Sequence, residues 1–149
     1  MKFAAYIIIG SVAFVMIAFF LLGKKSQNGS AIGLVDGRLA PCSGKPNCVN
    51  SEDGTPDEVK VKPLAANSLD NVKAAIVSLG GAITSSQDNY VSAEFTSGIF
   101  KFVDDVEVRL GDGRVQIRSA SRVGYSDNGV NRTRVEAIRA ALNQDYQDK

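Results

Sequence analysis

The sequence of 149 residues contains no histidine and no tryptophan, and it has only two cysteines. Without histidine it lacks the commonest general base and the commonest metal ligand of proteins. Two cysteines cannot complete a tetrahedral zinc site unless carboxylates supply the remaining ligands. Any catalysis would therefore have to use carboxylates, and we expect no cofactor.

The chain also lacks a strong excess of either charge, because its formal net charge is only +1. This near balance argues against a nucleic-acid partner. The charges are nevertheless unevenly placed, with ten acids and four bases in residues 52–107, and seven arginines and three acids in residues 109–139. Either the acidic and basic parts pair across a sheet, or the arginines form an anion site.

The amino-terminal segment is the one long hydrophobic run. From Phe3 to Gly23 there are 21 residues without a charge, which span about 30 Å as a helix, the thickness of a bilayer core. A signal peptide has a shorter apolar region and small residues at its cleavage site, whereas Lys24 and Lys25 follow this run directly. We expect residues 1–25 to be a transmembrane signal anchor, with a cleaved signal peptide as the alternative, and residues 26–38 to be a polar tether.

The two cysteines, Cys42 and Cys48, lie in a segment punctuated by Pro41, Gly44 and Pro46. Proline and glycine preset turns, which can bring the two sulfur atoms together. We expect a structural disulfide bond, although a redox-active pair and lipid attachment at Cys42 are alternatives. Because a disulfide persists in oxidising compartments, the globular domain is expected on the periplasmic or extracytoplasmic side of the membrane.

The remaining residues, 39–149, are enough for one domain with a single core. Their patterns predict an α+β fold in two layers, with an antiparallel sheet of about four to five strands and two helices on one face. The predicted elements begin with a short strand or extended edge at Lys60–Leu64, ended by Pro63, and a helix capped by Asn67 or Ser68 and ended by Gly80 and Gly81. Strands at Ala82–Ser86 and Tyr90–Thr96, a hairpin, and a helix from about Val130 follow.

The hairpin is the clearest element. Alternating residues flank Asp112–Gly113, a favoured two-residue turn. That turn sets Leu110 opposite Val115 on the apolar face. It also sets Glu107 opposite Arg118 on the other face, which is an attractive cross-strand pair. A three-residue loop would mix the two faces, so we reject it.

The segment from Arg118 to Arg134, RSASRVGYSDNGVNRTR, is rich in arginine and serine and leads into the last helix. Asn131 and Arg134 fall near the apolar stripe of that helix, and polar groups that face a core need partners. They can bond to the loop backbone and to Asp127, which would fix the start of the helix. Alternatively, the segment binds a carboxylate or phosphate at the helix start, with a lipid headgroup, a peptidoglycan fragment or an acidic partner as ligand. The candidate anion-binding residues are Arg118, Arg122, Asn131, Arg132 and Arg134.

The cysteine segment PCSGKPNCVNS together with RSASRVGYSDNGVNRTR resembles the family of domain of unknown function 1499. The resemblance covers roughly Leu39 to Leu142. It implies a family identity but no activity and no catalytic residues. The matching positions of the second motif are Arg118, Ser119, Ser121, Arg122, Gly124, Asp127, Gly129, Asn131 and Arg132.

The sequence favours a membrane-tethered accessory or binding module, with membrane lipid and other membrane-protein subunits as expected partners. The alternative is a hydrolase or metal-dependent enzyme that uses the carboxylates of Asp104, Asp105 and Asp127. Ser119 or Ser121 would be its nucleophile, but neither has an evident base.

Overall fold

The computed structural model describes residues 2–66, 68–111 and 113–147. The chain forms three helices and seven strands within these ranges. In chain order they are α1 (Lys2–Gln27), β1 (Leu34–Val35), β2 (Arg38–Leu39), β3 (Cys48–Asn50), α2 (Leu69–Ser78), β4 (Ala82–Ser86), β5 (Tyr90–Thr96), β6 (Val103–Gly111), β7 (Arg114–Ser121) and α3 (Val130–Gln147).

Five strands form one antiparallel sheet in the order β3-β7-β6-β5-β4, which confirms the predicted α+β class. In the β6–β7 hairpin Leu110 is paired with Val115 and Glu107 with Arg118, as the two-residue turn requires. Asp112, the first residue of that predicted turn, lies outside the described residues.

The edge strand of the sheet differs from the prediction. We expected a short strand or extended edge at Lys60–Leu64, but the structure uses β3, which begins at the second cysteine, as the edge strand. Lys60 forms only an isolated bridge with Asn50, and Leu64 one with Val115. Pro63 cannot donate a backbone hydrogen bond, so this segment cannot continue a regular ladder.

Helices α2 and α3 cover the apolar face of the sheet, as predicted. The hydroxyl of Ser68 accepts a hydrogen bond from the amide of Asp70 and caps α2, while Asn67 lies outside the described residues. Gly80, with φ of 86°, lies just past the end of α2. The largest fully buried apolar side chains between the helices and the sheet are Val72, Ile76, Val91, Val106, Val108, Val115, Ile117, Val135 and Ile138.

The opposite, polar face of the sheet is covered as well, by the segment that precedes the disulfide. Strands β1 and β2 form a small hairpin there, and Leu39 and Ala40 are buried. The amide of Gly33 donates a 2.7 Å hydrogen bond to Glu107. Much of the segment 26–38, expected to be a tether, therefore lies on the domain and adds a partial third layer.

Helix α1 is long and apolar enough to cross a membrane, and its carboxyl end is tied to the domain. The buried Ser26 hydroxyl accepts a hydrogen bond from the amide of Val103 at 3.1 Å. A Cβ atom at Gly23 would lie 1.8 Å from the carbonyl oxygen of Phe100, so only glycine permits this approach. The helix and the sheet thus meet through fixed contacts.

Candidate functional site

The polar face of the sheet is organised around the carboxylate of Glu107, which is 0% exposed. It accepts hydrogen bonds of 2.7 Å from Arg118 Nη1, from the Tyr90 hydroxyl and from the Gly33 amide. Burial, and then the hydrogen bond to the Glu107 carboxylate, raise the pKa of Tyr90 well above its ordinary value. This set of contacts fixes the N-terminal segment on the sheet and pairs the buried Glu107 carboxylate with a buried arginine.

A second buried carboxylate, that of Glu52, bonds to the residues of β2. Arg109 donates to it from Nε and from Nη2, Arg38 donates from Nε, and the Leu39 amide donates at 3.0 Å. Burial alone would raise the pKa of Glu52, but the hydrogen bonds from Arg109 and Leu39 outweigh it and the pKa lies below 4.5.

The lowered pKa makes Glu52 a source of acid sensitivity. Its stabilisation is present above the unfolded value of 4.5 and is lost as the pH falls through the lower folded value. We expect Glu52→Gln to be less stable than the parent at about pH 7, and the gap in unfolding free energy to narrow towards about pH 3. Urea unfolding in mild detergent across this range measures the gap. A gap that stays constant between about pH 7 and about pH 3 would contradict the expectation.

Arg122 is held by two carboxylates and a backbone carbonyl. It donates to both oxygens of Asp105, at 2.8 and 2.6 Å, to Glu94 at 2.5 Å, and to the Ser26 carbonyl at 3.1 Å. The hydrogen bonds that Arg122 donates to Asp105 and Glu94 outweigh the effect of burial and raise the pKa of Arg122 above its ordinary value. This arginine therefore joins β5, β6 and the end of α1, and its charge is neutralised within the fold.

Asn131 is a buried hub at the start of α3. Its side-chain oxygen accepts from the Ser119 hydroxyl and from Arg134, and its amide nitrogen donates to Ser121 and to the Asn47 carbonyl. Its backbone amide donates to Asp127 at 2.6 Å. These contacts match the interpretation in which Asn131 fixes the start of the helix.

Arg134 completes this hub from the next turn of α3. It donates to Asp104 at 2.7 Å, and its guanidinium carbon lies 4.7 Å from the centre of the Phe95 ring. The ring and the carboxylate together hold the charge in a half-buried position. Arg134 is thus fully engaged on the sheet.

The disulfide loop lies against the same hub. Cys42 and Cys48 form a disulfide bond, as predicted. Between them, Asn47 donates from its side chain to the Val123 and Gly124 carbonyls, and its own carbonyl accepts from the Ser121 amide. The two segments singled out in the sequence, about 70 residues apart in the chain, are therefore neighbours in the fold.

Residues 38–142 match the family described as "Protein of unknown function (DUF1499)". The chain belongs to this family. The finding confirms the resemblance inferred from the two segments, and the fold shows that both contribute to one buried polar cluster. No curated protein matches the sequence.

The DUF1499 fold does not bring the five predicted anion-binding residues to one place. Arg118 lies on the polar face with Glu107, and Arg122 lies beside α1. Asn131 and Arg134 lie on α3 and bond to side chains of the sheet. Only Arg132 is exposed, and its guanidinium donates to the carbonyls of Lys60 and Glu58 at 2.9 and 2.8 Å. The arginine-rich loop itself is thus occupied by partners from within the domain.

The carboxylates considered for catalysis are separated in the same way. Asp104 pairs with Arg134, Asp105 pairs with Arg122, and Asp127 caps α3. In the described part of the chain no three acidic or cysteine side chains are grouped closely enough to hold a metal ion. The enzyme alternative, with Ser119 or Ser121 as nucleophile, therefore gains no support from the DUF1499 structure.

The sequence did not predict an open groove of about 730 Å³ between the 60–63 segment, β7 and α3. The charged side chains along it are five cations and two acids. Arg132 and Arg139 donate to backbone carbonyls of the 58–63 segment and thereby hold it against α3. The lining residues are Ser51, Asp53, Lys60, Val61, Lys62, Pro63, Arg114, Gln116, Arg132, Glu136 and Arg139.

The sequence does contain a pattern that indicates one wall of this groove. Arg132, Glu136 and Arg139 are spaced by four and three residues, which places them on one face of a helix. The contribution of Lys60, Lys62 and Arg114 has no such signal, because only the tertiary fold brings the 60–63 segment to the start of β7.

Proposed function

We propose that this protein is a membrane-tethered binding module whose outer domain holds an anionic ligand in the basic groove beside α3. The observation that carries the proposal is a set of three groove cations, Lys60, Lys62 and Arg114. Their side chains have no hydrogen bond or ion pair with any described residue, unlike the arginines of the buried clusters. Exposed positive charge in a concave surface is suited to a carboxylate or phosphate group.

The tether in this proposal is α1. Its large apolar side chains from Phe3 to Leu22 are exposed, and the best membrane-spanning window is not buried in the protein. The extracytoplasmic side is favoured by the bond between Cys42 and Cys48, since disulfides persist in oxidising compartments.

The groove offers more than charge. Its lining includes Ser51, whose hydroxyl donates to the Gln116 side chain at 2.6 Å, so a polar pair is held in place beside the cations. Arg132 and Arg139 fix the opposite wall through the backbone carbonyls of the 58–63 segment. A ligand would therefore contact cationic side chains on segments that these hydrogen bonds hold in place.

Titration of the full-length protein in neutral detergent tests the proposal. We expect inorganic phosphate, or a short glutamate peptide, to shift the amide resonances of residues 60–62 and 114–116. The two probes distinguish a free anion from an acidic chain. Lys62→Gln combined with Arg114→Gln should weaken binding about tenfold, which corresponds to about 1.4 kcal/mol for two exposed contacts.

The matched control is Lys45→Gln, which removes a positive charge from the exposed disulfide loop outside the groove. It should leave the affinity unchanged. Equal affinity for the parent and the doubly substituted groove variant, or the absence of binding by both probes, would refute the groove as the binding site.

A further inference from the structure

The loop between β5 and β6 combines a closed base with an apolar tip. The Ser97 amide donates to the Phe102 carbonyl at 2.8 Å, and the Phe102 amide donates to the Ser97 hydroxyl at 2.9 Å. These bonds hold Gly98–Lys101 as a short defined tip. At that tip Ile99 is 82% exposed, the most exposed large apolar side chain in the described part of the chain.

This tip lies against the transmembrane helix. The ring of Phe100 is 5.2 Å from that of Phe19 in α1, and the ring of Phe102 is 6.1 Å from both. The Gln27 side chain donates to the Lys101 carbonyl at 3.1 Å. The loop and the end of α1 thus form one packed surface.

The depth of this contact follows from the position of Phe19. Phe19 lies inside the uncharged run, four residues before Gly23. The two residues are therefore about 6 Å apart along the helix axis. Phe100 is packed at that level. A bilayer that accommodates the apolar side chains of α1 therefore surrounds the loop tip at the same depth, close to the boundary between headgroups and acyl chains.

The lysine residues near the loop also fit a position at the boundary between headgroups and acyl chains. Lys24 and Lys25 follow the apolar run of α1, and Lys101 follows Phe100 in the loop, all three exposed. Lysine side chains next to an apolar segment can reach the phosphate layer while their aliphatic parts remain in the acyl region. Three cations of this kind favour a bilayer that contains anionic lipid.

We propose that the β5–β6 loop is a second membrane contact, in which Ile99 and Phe100 enter the bilayer beside α1 and Lys101 lies at the phosphate level. The proposal rests on the membrane-tethered function, because α1 sets the depth of the loop. Two points of contact, together with the close approach at Gly23, fix the orientation of the domain on the membrane surface.

The absence of tryptophan from the chain allows a direct test with single reporters. Full-length Ile99→Trp is reconstituted into vesicles of phosphatidylethanolamine and phosphatidylglycerol, with and without bromine atoms on the acyl chains near the headgroups. We expect a blue-shifted emission that loses most of its intensity to these shallow bromines. Phe14→Trp, in the middle of α1, reports on the span and should be quenched by bromines placed deep in the chains.

The surface control is Val77→Trp, at an exposed position on α2 whose emission should not respond to any brominated lipid. Quenching at position 14 without quenching at position 99 overturns the loop proposal and leaves the anchor intact. An unquenched reporter at both positions overturns the anchor together with the loop. Equal quenching at positions 77 and 99 also overturns the proposal, since the loop would then not be a specific contact.

Discussion

Replacing Glu107 with alanine should lower the free energy of unfolding by about 3–5 kcal/mol, because it leaves a buried arginine without its counter-charge. Arg118 is 5% exposed, and its Nε already has no hydrogen-bond partner among the described residues. The same substitution removes the acceptor for the Tyr90 hydroxyl and for the Gly33 amide. The N-terminal segment should therefore loosen along with the sheet.

Urea unfolding of the full-length protein in mild detergent, followed by circular dichroism, measures this loss. The control is Glu136→Ala, which breaks an ion pair whose carboxylate side chain is 56% exposed, and it should cost under about 1 kcal/mol. Similar losses for the two variants would show that burial of the Glu107 charge is not what stabilises the layer.

A double substitution separates the loss of the Glu107–Arg118 ion pair from the loss of the Tyr90 hydrogen bond. Glu107→Leu together with Arg118→Met removes both charges and should recover part of the stability that Glu107→Ala loses. Recovery should be incomplete, since Tyr90 would still lack its acceptor. A double variant that is as unstable as the sum of its single variants would contradict the ion-pair explanation.

The sequence predicted the parts of this fold that depend on local patterns. Alternation and a two-residue turn fix the β6–β7 register, because a slip by one residue would exchange the two faces of each strand. The β1–β2 hairpin was missed, since strands of two residues carry no periodicity. The burial of Glu107 was missed for a related reason: nothing in its own strand shows that residues 33–40 will cover it.

The charge asymmetry shows where sequence reasoning about the site reached its limit. The acidic region and the arginine-rich region do pair: Glu52 with Arg109, Glu107 with Arg118, and Asp105 with Arg122. The cross-strand pair at Glu107 could be derived from the register. The Arg122–Glu94 contact could not, because it joins residues 28 apart through a strand order that the sequence leaves open. The unpaired cations of the groove become visible only after these pairs are assigned.

Replacing Arg122 with alanine should cost about 3 kcal/mol of stability and loosen the domain from its helix. The carboxylates of Glu94 and Asp105 would then face each other without a cation, and Asp105 is 5% exposed. The contact from Arg122 to the Ser26 carbonyl would also be lost. We expect faster hydrogen exchange at the amide of Val103, which donates to the Ser26 hydroxyl, in addition to a lower urea midpoint.

Two further variants identify the cause. Arg122→Lys keeps the charge, but its ammonium group has only three N–H donors on one atom and cannot reproduce the four hydrogen bonds of the planar guanidinium. Its stability should therefore lie between the parent and Arg122→Ala. Asp105→Asn in the Arg122→Ala background removes one of the two opposing charges and should restore part of the loss. If the added substitution lowered stability further, repulsion between Glu94 and Asp105 would not be the reason for the loss. The stabilising role of Arg122 would then lie in its hydrogen bond to the Ser26 carbonyl. Hydrogen exchange at the Val103 amide would in that case stay fast in Arg122→Ala both with and without Asp105→Asn.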